Sequence, residues 1–394
     1  MSVEVVVTGI GLVSALGTLE TTWKQILAGG SGVRRHQPFS ELKPRPLALI
    51  GNSPADLLAL TRQAIAEALQ DAGLSGPLPD CGVVIGSSRG YQARLEQFAR
   101  EQLAPDLTDE LLRVNPADPH LFPTPLAQWP SFLPHAAAIA AAQEIGSTGP
   151  VLAPMAACAT GIWAIAQAFE LIQTGQCQRV MTGGVEAAIT PLTLAGFQQM
   201  GALATTGAYP FDRQREGFVL GEGAAVFVLE TAALARRRNA KIYGQVLGFG
   251  LTNDAYAPTA PEMGGKSALA AIQQALDRSC LSAAEIDYIH AHGTGTQLND
   301  RHEALLIQSL FPPGVAVSST KGATGHTLGA SGALGVAFSL MSMKEQLLPP
   351  CIGLRESEFE LNLVRVASLG EIQKVLCFSF GFGGQNGVIA LGKR

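Results

Sequence analysis

Charged and aromatic side chains are scarce in this chain: of 394 residues, 15% are Asp, Glu, Lys or Arg and 6% are Phe, Trp or Tyr. The net charge is −5, with no basic tract and no interleaving of basic with aromatic residues. That argues against nucleic acid as a main partner. Cysteine is also sparse. The six cysteines, at 81, 158, 177, 280, 351 and 377, form no C-x-x-C pair and no regular framework. Neither a zinc site nor a disulfide scaffold is implied, no metal is expected, and a reducing, cytoplasmic setting fits. Long apolar runs are missing as well. Stretches 134–145 and 151–172 are broken by Pro, Gly, Gln or Glu, short of the ~20 apolar residues of a membrane span. Glu4 precedes the first apolar run and no basic segment leads into it, unlike a secretory signal, so no membrane is expected as partner.

What is present is apolar mass. With 47% hydrophobic residues, a chain of this length buries a large core, as two or three domains or one intimate double domain. Strand-like runs (5–8, 82–85, 180–182, 224–229) alternate with helical patterns (22–28, 56–72, 162–172). This alternation predicts an α/β layered sheet covered by helices. The run 236–241, Arg-Arg-Arg-Asn-Ala-Lys, reads as a solvated connection between halves 1–240 and 241–394. The second half repeats the first in outline. The segment from Cys158 resembles that from Gly329, and the segment from Met181 can be laid beside that from Phe380.

Within the first half, Cys158 stands in Pro-Met-Ala-Ala-Cys-Ala-Thr-Gly, ahead of the helical stretch 162–172. A Cys between alanines is ordinarily a small buried hydrophobe. At a helix N-terminus, however, unpaired N–H groups and the dipole favour its thiolate. Downstream, His292 in Ala-His-Gly-Thr-Gly-Thr and His326 in Lys-Gly-Ala-Thr-Gly-His each follow a short apolar segment and enter a Gly/Thr loop. A Cys at a helix start with two such His residues forms a candidate nucleophile with two proton or hydrogen-bond partners. His290 belongs to the apolar approach, and His302 reads as part of a polar, exposed segment.

Six motifs taken in order resemble the β-ketoacyl-acyl-carrier-protein synthases, of the elongating, type II-like kind. They are Val5-Val-Val-Thr-Gly-Ile-Gly-Leu-Val-Ser-Ala-Leu-Gly, Ala157-Cys-Ala-Thr-Gly, Pro210-Phe-Asp-Arg-Gln-Arg-Glu-Gly-Phe-Val-Leu-Gly-Glu-Gly, Ala291-His-Gly-Thr-Gly-Thr, Lys321-Gly-Ala-Thr-Gly-His and Ser379-Phe-Gly-Phe-Gly-Gly. The resemblance implies a thiolase fold: two similar α/β halves in a duplicated five-layer α/β/α/β/α arrangement with two mixed sheets, usually as a homodimer. It also implies a decarboxylative Claisen condensation. Cys158 would take an acyl chain from acyl carrier protein, malonyl carrier protein would lose CO2, and the carbanion would attack the thioester. No cofactor is required, since phosphopantetheine arrives on the carrier.

By the same resemblance, His292 and His326 donate to the enolate oxygen, Lys321 anchors the His326 loop, and Glu303 is its ion-pair partner. Thr294 and Thr296 contact the phosphopantetheine arm. Phe380 and Phe382 gate the acyl pocket, with the Phe382 N–H joining that of Cys158 as an oxyanion hole. Several departures bear on the substrate. The loop 205–209 is short, Ala257 stands where His is common, and Gln385 replaces a usual Thr. Residues 91–129 show little likeness, and in the family that region helps build the dimer contact and the far end of the pocket. The alternatives are a non-condensing chain-length or partner subunit of a heterodimer, and a thiolase, which would need a second catalytic Cys such as Cys377.

Overall fold

A computed structural model describes residues 3–102 and 132–394. Strand β1 (Val5–Ser14) is buried along its whole length. The first half also gives the main sheet β2 (Gly82–Gly86), β3 (Val151–Leu152), β4 (Arg179–Glu186) and β5 (Gly223–Thr231). The second half carries β6 (Gly244–Asn253), β7 (Tyr288–His290), β8 (Ala316–Ser318), β9 (Asn362–Leu363), β10 (Lys374–Gly381) and β11 (Gln385–Gly392). The helices that matter here are α1 (Leu57–Ala72), α2 (Thr160–Gln173), α3 (Lys266–Ser279), α4 (Gln297–Leu310) and α5 (Ser331–Glu345).

The strand order β3-β2-β4-β5-β1 in one half matches β8-β7-β10-β11-β6 in the other, with β9 added at the outer edge. Corresponding pairs also share direction: β2 and β7 run parallel to their neighbours, whereas β5 and β11 run antiparallel. The duplication read faintly in the sequence is therefore a duplication of topology. Its two mixed sheets are joined at one edge, where residues 5–7 of β1 pair with residues 244–246 of β6.

Helices α2 and α5 occupy equivalent places and lie back to back between the sheets. Residues 331–343 of α5 are buried all round, as expected of a helix with no solvent face. A Cβ at Gly161 would come within 2.6 Å of the Ala333 nitrogen, so the two backbones meet only because no side chain intervenes. Outside this layer, α1 covers the first sheet, and α3 with α4 covers the second. The Asp56 carboxylate caps α1 by accepting from Ala59 N–H at 2.9 Å.

Two expectations are corrected. Met181 and Phe380 do lie in equivalent strands, β4 and β10, but not in register, since Met181 is the third residue of its strand and Phe380 the seventh of its own. Gly183 and Gly184 lie inside β4, whereas Gly383 and Gly384 lie in the turn between β10 and β11. Nor is the run 236–241 simply solvated. Arg238 pairs with the fully buried Glu230 at 2.6 Å, and Arg179 reaches the same carboxylate at 2.7 Å. No helix among the described residues is long and apolar enough to cross a membrane.

Candidate active site

Cys158 sits at a sharp reversal ahead of α2. Ala157 adopts a left-handed conformation (φ 47°), held by Thr160, whose Oγ1 donates to the Ala157 carbonyl and accepts from the Ala156 N–H. From β10, Ser379 Oγ donates to the Cys158 carbonyl at 2.8 Å. The Phe382 backbone lies near the Cys158 sulfur. The ready thiolate expected from a helix start is corrected here. Cys158 lies one residue before the N-cap Ala159, and burial pushes its thiol up to about 11 against the pull of Lys321 and the Phe382 N–H. In the substrate-free protein, iodoacetamide labelling at Cys158 should therefore climb about tenfold per pH unit from 7 to 9, because the thiolate fraction does. Mass spectrometry of the Cys158 peptide reads this, and a plateau below pH 8 would contradict it.

The loop after β7 presents His292. Glu303, two turns into α4, accepts from the His292 N–H at 2.6 Å and the Gly293 N–H at 2.7 Å. Gly293 is left-handed (φ 42°), and a Cβ there would lie 2.5 Å from Ser319 Cβ, so the chain turns through space that only glycine fits. Lys321 Nζ donates to the His292 carbonyl and lies 3.4 Å from its Nδ1. The direct Glu303–Lys321 ion pair expected from sequence does not form. The two grip the same His292 main chain from opposite sides, carboxylate on N–H and ammonium on carbonyl.

His326 is held more tightly. The Leu328 N–H donates to its Nδ1 at 3.2 Å, and Ser331 Oγ lies 2.8 Å from the same atom. A backbone N–H can only donate, so Nδ1 accepts and the ring proton sits on Nε2. Lys321 beside His292 Nδ1 favours the same tautomer there. Burial, then the Lys321 charge, holds both imidazoles well below the ordinary histidine value. Both are neutral rings with an N–H left for the cavity.

Cys158, His292 and His326 converge, with one ligand-type atom of each within 4.8 Å of the others. Such a trio has the spacing of a metal site. Its donor chemistry runs the other way, since His326 shows an N–H rather than a lone pair and Lys321 adds a nearby cation. The arrangement suits a negative oxygen.

These three line a cavity of about 320 Å3 together with Thr294, Thr296, Phe380 and Phe382. Thr294 and Thr296 hydroxyls are 2.9 Å apart, and Thr296 caps α4. Phe382 packs on Phe197. Phe380 packs edge-on near both the His292 and His302 rings, 6.2 and 6.4 Å away. His302 corrects the sequence reading outright, for it is 3% exposed and lines the cavity. The 254–265 segment folds over α4 and encloses it, with Gly265 against the ring. His290 lies in β7 against Thr320 and Cys377, outside the cavity lining. Cys377 is buried in β10 and does not reach the cavity either.

Residues that no sequence motif singles out also shape the site. Asn386 Nδ2 donates to Asp254 Oδ1 at 2.7 Å, tying β11 to the 254–265 loop. The buried Glu186 carboxylate collects Ser87, Ser88 and Gly329 donors, bracing the turn after His326. Neither residue sits in a pattern that spacing alone would pick out. Gln385 pairs with Asn253 and stays off the cavity wall. The short loop at 205–206 wraps the Glu216 carboxylate with its N–H and hydroxyl groups. Most of the unlike stretch 91–129 lies outside the described residues.

Comparison with known proteins bears on this arrangement. The β-ketoacyl synthase N-terminal domain matches residues 53–235, and the β-ketoacyl synthase C-terminal domain matches residues 243–355. The chain is 34% identical to 3-oxoacyl-[acyl-carrier-protein] synthase 2 of Staphylococcus aureus, covering 100% of this chain and 99% of that protein. It is 32% identical to a putative mitochondrial 3-oxoacyl-[acyl-carrier-protein] synthase of Schizosaccharomyces pombe, over 99% of each. Among solved structures, a β-ketoacyl synthase from Burkholderia phymatum superposes with TM-score 0.88 at 29% identity over the full length of both chains. A ketosynthase complex described as a type II PKS acyl-carrier protein with its ketosynthase bound to the hexaketide gives TM-score 0.89 at 26% identity, again over both full lengths. With its fold duplicated as that family's is and its sequence matched from end to end, the chain belongs to the β-ketoacyl synthase family.

Proposed function

We propose that this chain is an elongating β-ketoacyl-acyl-carrier-protein synthase of fatty-acid or polyketide assembly. The observation that carries the proposal is the convergence of Cys158 with two neutral, N–H-donating histidines in one cavity. The Cys158 thiolate attacks an acyl thioester, and the N–H groups of Cys158 and Phe382 receive the oxyanion as the carrier thiol leaves. The malonyl thioester then binds with its carbonyl oxygen against the His292 and His326 N–H groups. Loss of CO2 builds enolate charge on that oxygen, and its carbanion attacks the Cys158 thioester to give the β-ketoacyl carrier product.

Lys321 and Glu303 act through position, fixing the His292 main chain. Thr294 and Thr296 line the path of the phosphopantetheine arm, and Phe380 and Phe382 form the gate above the acyl pocket. No cofactor beyond that arm enters the scheme. Partially exposed Ile139, Leu152 and Met155 lie near the edge of β3 that no other described strand pairs, a surface suited to a second copy of the chain. Six free cysteines fit the reducing cytoplasm.

The test is incubation of the native chain with acyl and malonyl carrier proteins of graded acyl length, following CO2 release and ketoacyl product. Condensation is expected. A chain that releases neither, yet stimulates a partner synthase, would be the non-condensing subunit. The thiolase reading loses its second cysteine, because Cys377 faces His290 in the core.

A further inference from the structure

Leu328 holds a conformation that a branched side chain avoids. Its φ is 41°, in the left-handed region that favours glycine. Such a residue persists only where its surroundings keep it there. Its side chain is buried in the apolar cluster of Phe197 and Phe218, and its N–H donates to His326 Nδ1 at 3.2 Å. The one other partner of that nitrogen among the described residues is the Ser331 hydroxyl at 2.8 Å. A hydroxyl serves either tautomer, because it can donate or accept. The Leu328 N–H can only donate, so this strained turn is what leaves the ring proton on Nε2.

One residue further on, the Gly329 N–H donates to Glu186 Oε2 at 2.9 Å. Glu186 is fully buried at the end of β4. Its remaining donors come from the turn after β2: Ser87 Oγ at 2.9 Å, the Ser88 N–H at 2.8 Å, the Arg89 N–H at 3.1 Å, and Ser88 Oγ. One carboxylate thus ties a turn of the first half to the turn that follows His326 in the second. The join is close, since a Cβ at Gly329 would lie 2.6 Å from Glu186 Oε2 and 2.7 Å from the Ser88 nitrogen. A buried carboxylate is costly unless donors fill it, and these donors belong to two turns that no strand or helix ladder would otherwise join.

We infer that Glu186 is a positioning residue for decarboxylation: by anchoring Gly329 it holds Leu328 in its strained turn, and so keeps His326 as the Nε2–H tautomer that donates to the enolate oxygen. This assignment rests on the synthase reading above. It differs from general support of the fold in one respect, that the load Glu186 carries is the backbone strain at position 328.

The test joins two readouts. CO2 release from malonyl carrier protein should fall about tenfold in kcat for Glu186→Ala, with KM within about twofold, the effect of letting one strained residue relax. Histidine-15N NMR of the substrate-free protein should show His326 as Nε2–H alone in the native chain and an added Nδ1–H form in the variant, with His326→Ala identifying the signals. Leu328→Gly supplies the discriminating background. Glycine takes a left-handed φ without strain, so there Glu186→Ala should cost about threefold at most. An equal loss in both backgrounds assigns Glu186 to general support of the fold and overturns the proposal, as does a native rate or a His326 ring that stays wholly Nε2–H. If Glu186→Ala does not fold, Gly329→Ala breaks the same link from the other side through its Cβ, and an unchanged rate and tautomer there overturn the proposal equally. A native chain that releases no CO2 refutes the synthase reading, and the tautomer, read without substrate, then decides by itself whether Glu186 fixes His326.

Discussion

Cys158→Ala is expected to abolish condensation, by about 10^4-fold or more, while malonyl decarboxylation continues. The size follows from removing a nucleophile that acts as one unit with its partners, where loss of any covalent step leaves only background catalysis. No other sulfur can substitute. Cys81, Cys177, Cys351 and Cys377 are buried away from the cavity, and Cys280 is exposed. The second half of the prediction follows from charge. Since burial holds the Cys158 thiol up to about 11, it is neutral near pH 7, and replacing it removes no charge from beside His292, His326 and Lys321. Those donors therefore still meet the malonyl carbonyl, and CO2 is still released. The measurement follows CO2, ketoacyl product and the mass of the acylated protein together. Condensation retained by the variant would remove Cys158 as nucleophile. Loss of CO2 release along with condensation would mean that the thiol also supports the decarboxylating donors.

The contrast between Cys158 and His302 indicates what a sequence of this kind discloses. Cys158, His292 and His326 are legible because each needs an unusual local backbone, and the residues that permit it leave marks: Gly293 at a left-handed position, Gly325 before His326, Thr160 bracing the turn after Cys158. The duplicated topology is legible only in outline, since apolar helices with small residues align in many registers. Hence the laying of Met181 beside Phe380, which finds the equivalent strands but misses their register. His302 misleads for a different reason. It follows Asp300 and Arg301 and precedes Glu303, a polar run that on most helices faces water. Here α4 is sheltered on two sides, by the Gly293–Thr296 loop and the 254–265 loop, and even Asp300 and Glu303 are fully buried as acceptors of backbone N–H groups. Burial that comes from distant segments folding over a helix has no periodicity to read.

The electrostatics are the least legible part. A nearby helix start does favour the Cys158 thiolate, but desolvation in this cavity outweighs the partial charge of one helix end. Desolvation depends on which segments close over the sulfur, and local sequence does not carry that. The same desolvation keeps His292 and His326 neutral, which is what makes them useful as donors. One physical cause thus works against the first half-reaction and for the second.

His326→Ala is expected to slow decarboxylation by about 10²–10³-fold, the usual cost of removing one preset donor from a developing oxyanion, about 2.7–4 kcal/mol. Acylation of Cys158 should change far less, because the Cys158 and Phe382 N–H groups that receive its oxyanion remain in place. The pH dependence separates donation from general-base catalysis. A base titrating at the ordinary histidine value would lose activity as pH falls through about 6.5. Here burial and Lys321 hold the His326 proton affinity well below that value, and the Leu328 N–H blocks Nδ1. The ring stays neutral, with Nε2–H intact, down through about pH 6, so the native decarboxylation rate should show no acid limb from His326 between about pH 6 and 8. His326→Asn, whose side-chain amide also donates, should recover part of the rate, whereas an alanine cannot. An acid limb near 6.5 that vanishes in His326→Ala would assign His326 as a base and remove the oxyanion role derived from its geometry.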